Sequence, residues 1–179
     1  IRAGVFSFSL TGGEPLLYPK SVKDAISEGK KAGLTCGVNT NLQPLTNQMA
    51  DFFSENNVRV LTSLASVEPE MHERIVGLKG SHARLVRNIE KLTNMGVRVS
   101  VNMVVRKDNF WQVYETGKFA HTLGVSRFSA TKAAPTVGIE YSTYSPSHEH
   151  LKSSLEDLLR LQAEYGMDVD ILESYPLCF

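Results

Sequence analysis

Short apolar runs alternate with amphipathic stretches along almost the whole chain, at a period of about thirty residues, and this alternation constrains the fold more than any other feature. The runs read as strands over 5–10, 34–39, 58–65, 97–105, 125–131 and 167–172. Helical stretches lie between them over 20–32, 46–55, 81–94, 110–122 and 148–165. The punctuation agrees: Pro19 opens the first helix and Gly33 closes it, Ser81 reads as an N-cap, and Gly96 and Gly124 follow later helix ends. Strand and helix in strict alternation imply parallel βαβ units with right-handed crossovers, gathered in one domain over 1–179. In the last helix Leu151, Leu155, Leu158, Leu159 and Leu161 read as a buried stripe. The segment joining the third strand to the third helix reads as a connection, with His72 in a polar loop.

Composition narrows the partners. Nineteen basic and nineteen acidic residues leave a formal net charge of zero, which removes the electrostatic case for nucleic acid or an anionic membrane and favours a peptide or small-molecule substrate. No apolar run approaches the ~20 residues of a spanning helix, and the cytoplasm is the expected location. Two cysteines are too few for a disulfide framework, and Cys36, within LTCGV, reads as a buried thiol. The chain opens on Ile1, so its natural N-terminus is expected further upstream.

Parallel βα units place their loops at the carboxyl ends of the strands, and those loops carry the chemistry. The first is Gly12-Gly13-Glu14-Pro15. The glycine pair permits positive φ, Glu14 offers a carboxylate to an ammonium or hydroxyl, and Pro15 fixes the exit; an ordinary turn is the competing reading. The second is Asn39-Thr40-Asn41, which suits a site or a turn equally. The third is Ser63, in LTSLAS near the end of the third strand, and Asn102 interrupts the apolar VSVNMVV, where a buried amide must find partners and faces a barrel lumen.

The segment LTGGEPLLYP, followed by alternating strands and helices over nearly all of the chain, resembles the radical S-adenosylmethionine (radical SAM) superfamily. The resemblance implies an α/β fold, a partial (β/α)6 TIM-like barrel of parallel strands with outer helices, incomplete at the N-terminus and entered at its second strand. It implies S-adenosylmethionine (SAM) and a [4Fe-4S] cluster as cofactors, SAM cleavage to a 5′-deoxyadenosyl radical, and a reductant protein such as a flavodoxin or ferredoxin. Gly12, Gly13, Glu14 and Pro15 then carry over as the segment binding the SAM amino group, with Thr40, Asn41 and Ser63 beside them. Arg84 is the first choice for the SAM carboxylate, ahead of Arg74 and Arg87. Asn102 lines the site, and backbone from Ala133 to Pro135 lies near adenine. Two departures stand out: Ala65 occupies a position where an Asp is common, and the family's C-x3-C-x2-C loop is absent.

The stretch from Ser63 to Asn109 and the tail SYPLCF are similar to SPASM-type members that mature peptides or cofactors, including ribosomal-peptide and pyrroloquinoline-quinone pathways. By that likeness 175–179 begins a truncated C-terminal extension, and Cys178 is either an auxiliary iron-sulfur ligand or incidental. The expectation is a radical SAM enzyme core, inactive on its own as this stretch. The alternatives are a molybdenum-cofactor-type radical SAM enzyme and a non-catalytic α/β binding module.

Overall fold

The apolar runs pair edge to edge in chain order. In the computed structural model, which describes residues 4–171, they form β1 (Ser7–Leu10), β2 (Thr35–Asn39), β3 (Arg59–Ser63), β4 (Val99–Val105), β5 (Arg127–Lys132) and β6 (Asp168–Asp170). The sheet order is β1-β2-β3-β4-β5-β6 and all five pairings are parallel. Sequential order with right-handed crossovers sets every connecting helix on the same face. The helices are α1 (Pro19–Lys31), α2 (Asn47–Glu55), α3 (Pro69–Val76), α4 (Ser81–Asn94), α5 (Val113–Thr122) and α6 (His148–Tyr165). The sheet is an open barrel in which β1 and β6 are edges.

Alternation along each strand sorts the side chains. Cys36 and Val38, Val60 and Thr62, Val99, Val101, Met103 and Val105, and Phe128 and Ala130 point to the helices and are buried. They pack against Ile26, Met49, Phe53, Leu85, Ile89, Leu92, Val113, Leu158 and Leu161. Burying each large side chain stabilises the fold by about 1.5–3 kcal/mol. Cys36 is fully buried and free, and burial pushes its thiol pKa up. The other parity faces a concavity of about 450 Å³ of mixed lining, which includes Ser7, Ser9, Thr35, Arg59, Leu61 and Ser100.

Several boundaries differ from expectation for local reasons. The connection after β3 contains α3, with Pro69 at its start, Glu70 in its first turn and Gly77 at its C-cap with φ 78°; His72 is therefore a buried helical residue, 2% exposed, and not a loop residue. The N-cap of α4 is Gly80 at φ 73°, and Ser81 is the first helical residue with no capping hydrogen bond. The fourth predicted helix opens as a 3₁₀ turn, Phe110–Gln112, before α5. In α6 the buried positions are Leu151, Ser154, Leu158 and Leu161, while Leu159 is 55% exposed, because a 3.6-residue period turns it away from its neighbours. Leu172, Cys178 and the 175–179 extension lie outside the described residues.

Candidate functional site

The carboxyl ends of β1, β2 and β3 meet in a cleft of about 200 Å³ lined by Thr11, Gly13, Glu14, Asn39, Thr40, Asn41 and Ser63. Gly12 and Gly13 turn the chain with φ 95° and 54°, a region L side chains rarely adopt, and so deliver Glu14 across the end of β2. Glu14 accepts from Leu16 N at 2.9 Å and from Thr40 Oγ1 at 2.6 Å through Oε1, and from Asn41 N at 2.8 Å through Oε2. A carboxylate offers about four acceptor positions, so three internal bonds leave capacity on Oε2 for one further donor. Glu14 also caps the 3₁₀ turn Pro15–Leu17, in which Pro15 is buried.

The β2 loop is held as firmly. Thr40, 4% exposed, accepts from Leu42 N, and Asn41 Oδ1 accepts from Gln43 N. Leu42 is fully buried at φ 58°, and Asn88 Nδ2 donates to its carbonyl at 2.7 Å. Burial of the leucine side chain and that hydrogen bond offset a backbone strain of about 1–3 kcal/mol. Gln43 Nε2 donates to the Ser81 carbonyl at 3.1 Å, which brings the first turn of α4 beside the loop. Arg84 follows one turn later; it is exposed and does not line the cleft, and Arg87 and Arg74 are also exposed.

Ser63 stands opposite Asn102 in the β3–β4 register. Asn102 lies outside the Glu14 cleft, and its Oδ1 accepts from Ser129 Oγ at 3.0 Å and Thr131 Oγ1 at 2.8 Å. The amide on the apolar strand thus finds its partners across β5 on the concave face. The carbonyls of Ala133 and Ala134 accept from the hydroxyls of Tyr141 and Tyr144, which hold the loop after β5.

A buried polar network beneath Ser63 was not legible in the sequence. Ala65 N donates to His72 Nδ1 at 3.2 Å, and its carbonyl accepts from Asn109 Nδ2 at 3.0 Å. Asn109 is fully buried; it also donates to the Val104 carbonyl and accepts from Arg106 N. Ser66 Oγ donates to Gln112 Oε1, Gln112 Nε2 donates to Glu68, and Val67 N donates to Thr116 Oγ1. Four residues of the strand-end loop are therefore fixed by side chains from α3, the 3₁₀ turn and α5. Burial pushes the His72 pKa down to about 4, helped by His82, whose ring sits edge-on at 5.4 Å. The available signals were Pro69 followed by Gly77 for the helix and polar Asn109 in the turn after β4.

The cleft fits a ligand with an ammonium group: a half-buried carboxylate with residual acceptor capacity, two backbone turns and a strand-end hydroxyl. An iron-sulfur cluster finds no such fit, since no group of three or more His, Cys, Asp or Glu side chains that could hold a metal occurs among the described residues. No helix among them is long and apolar enough to cross a membrane.

Known proteins resemble the chain in sequence and in fold. Antilisterial bacteriocin subtilosin biosynthesis protein AlbA of Bacillus subtilis (strain 168) is 27% identical over 128 residues, covering 70% of this chain and 28% of that protein. PqqA peptide cyclase of Gluconobacter oxydans (strain 621H) is 25% identical over 179 residues, covering 93% and 47%. The chain thus spans less than half the length of either relative. The crystal structure of Streptococcus suis SuiB bound to S-adenosylmethionine superposes with a TM-score of 0.77 at 18% identity, covering 94% of this chain and 39% of that one, a likeness of fold. The profile of the Radical SAM superfamily matches residues 1–120, and the chain, parallel barrel and glycine-turn carboxylate included, belongs to that superfamily of enzymes.

Proposed function

We propose that the protein binds SAM at the carboxyl ends of β1–β3 and uses its reductive cleavage to a 5′-deoxyadenosyl radical to modify a peptide or a cofactor precursor. The observation that carries this reading is the Glu14 carboxylate, held by Thr40 and Asn41 with acceptor capacity left for an ammonium. Gly12, Gly13 and Pro15 shape the approach, Ser63 supplies a hydroxyl, and Asn102 lines the lumen beyond it. Arg84, exposed on the helix whose first turn touches the Asn41–Gln43 loop, is the proposed partner of the SAM carboxylate, although it does not line the cleft. The cofactor supplies the radical; the protein orients it and excludes water.

The peptide branch is supported by the relatives, one a bacteriocin biosynthesis protein and one a peptide cyclase. The cluster ligands, an electron-donating partner and any auxiliary cluster at Cys178 belong to the proposal for the whole protein, as does a cytoplasmic location suited to two cysteines in 179 residues. Calorimetric titration of the reconstituted full-length enzyme with SAM tests the reading: binding that weakens at least tenfold in Glu14→Gln supports it, and unchanged affinity overturns it.

A further inference from the structure

We infer that Arg59 and Arg98 form a carboxylate site at the base of the concave face, which selects an acidic residue in an extended peptide substrate. The inference deepens the peptide-modifying reading and rests on it for the identity of the ligand. Val60 stands opposite Val99, and Val60 N donates to the Arg98 carbonyl at 2.9 Å. One residue earlier, Arg59 opens β3 and Arg98 immediately precedes β4; both are exposed and both line one opening. Two like charges brought together at one opening repel each other. Neither guanidinium has an ion-pair or hydrogen-bond partner among the described residues. A bound anion relieves that repulsion, and paired guanidiniums match the two oxygens of a carboxylate.

The surroundings define the ligand's charge. The two arginines share an opening of about 370 Å³ with Ser100, Ser126, Arg127 and Asp168. Arg127 is engaged by Asp168 at 2.8 Å and Asp170 at 3.5 Å. Three guanidiniums against two carboxylates leave a net charge of +1, which suits a monoanion and disfavours a multiply charged phosphate. Gly37 keeps the approach open. It pairs with Arg59 across β2–β3, and a Cβ there would come within 3.0 Å of Ser9 Oγ.

Distance defines the ligand's shape. Arg59 and Ser63 are the two ends of β3, so at about 3.3 Å per residue the arginine level lies roughly 13 Å below the SAM cleft. That exceeds the reach of one side chain. An extended peptide rises ~3.3–3.6 Å per residue, so the acidic residue sits about three or four positions from the residue that reacts.

The test is calorimetry on the full chain at low ionic strength, without SAM, using acetyl-Ala-Ala-Glu-amide and its Gln isostere as probes. The Glu peptide is expected to bind at least tenfold more tightly, and the ratio to fall to near one in the Arg59→Gln/Arg98→Gln double variant. The melting temperature of that variant without peptide should be unchanged or raised, because a repulsion has been removed. Equal affinity for the two peptides, no binding of either, or a preference that survives in the double variant overturns the site. Inorganic phosphate competing better than acetate overturns its carboxylate selectivity. Glu14→Gln should leave this titration unaltered, so its failure and that of the SAM assignment are read separately.

Discussion

Thr40 and Glu14, twenty-six positions apart, meet where Thr40 Oγ1 donates to Glu14 Oε1 at 2.6 Å, tying the end of β1 to the end of β2. The same carboxylate receives Asn41 N, so it is a structural clasp as well as the proposed ligand for the SAM ammonium. The turn in the GGEP segment sets the carboxylate in the geometry that the proposed binding role uses.

Glu14→Gln tests both roles. The amide keeps an oxygen for Leu16 N and Thr40 Oγ1 but presents a donor where Asn41 N and the ammonium need an acceptor. SAM affinity should fall by roughly 1.5–3 kcal/mol, the range for a charged hydrogen bond. Stability should fall by about 0.5–1.5 kcal/mol for the lost internal bond. Calorimetry with SAM and urea denaturation without it separate the two effects.

His72 links stability to pH. Its folded pKa is pushed down to about 4 from an ordinary 6.5, so the unfolded state takes up the proton first and stability falls as pH drops from about 6.5 towards 4. The contribution, full above pH 6.5, is on the order of 3 kcal/mol at 1.36 kcal/mol per unit. His82, also depressed by burial, acts in the same direction, while Glu70 and Glu73 nearby favour its charged form. His72→Gln retains an acceptor for Ala65 N and cannot titrate. Urea midpoints at pH 7 and pH 5 should therefore differ less in the variant than in the wild type; equal differences would exclude His72 as the source.

Asn109→Ala should be among the most damaging polar substitutions in the chain. It strips partners from the Ala65 and Val104 carbonyls and from Arg106 N, in a position with no exposed surface. A loss of about 3 kcal/mol or more is expected, since each buried group left unpaired costs ~1–3 kcal/mol. Chemical denaturation gives the value, and a loss below about 1 kcal/mol would show that water replaces the amide.

Iron and sulfide reconstitution of this stretch alone should give no stoichiometric [4Fe-4S] absorbance. Cys36 is buried beneath the sheet with its thiol pKa raised, and no metal-holding cluster of side chains accompanies it among the described residues. Anaerobic absorbance near the cluster's charge-transfer band, with iron counted per chain, is the measurement. Stoichiometric cluster formation would place its ligands within these residues.

The sequence alone determined what repeats locally. Apolar runs and 3.6-period stripes specified six strands and five of the six helices among the described residues, because one face of each must be buried and the pattern records it. The glycine pair before Glu14 disclosed a positive-φ turn because few other residues adopt it. Tertiary structure alone decided what depends on register and on contacts distant in sequence. Whether Asn102 joins Glu14 or turns to Ser129 and Thr131 depends on the β4–β5 register. That His72 and Asn109 hold the two sides of Ala65 depends on two segments meeting across the loop after β3. Arg59 and Arg98 are 39 positions apart in the chain, and the parallel pairing of β3 with β4 brings the residues that open the two strands to one opening. Local pattern encodes which face of an element is buried; partners across a sheet follow from the alignment of whole strands, a property of no single segment.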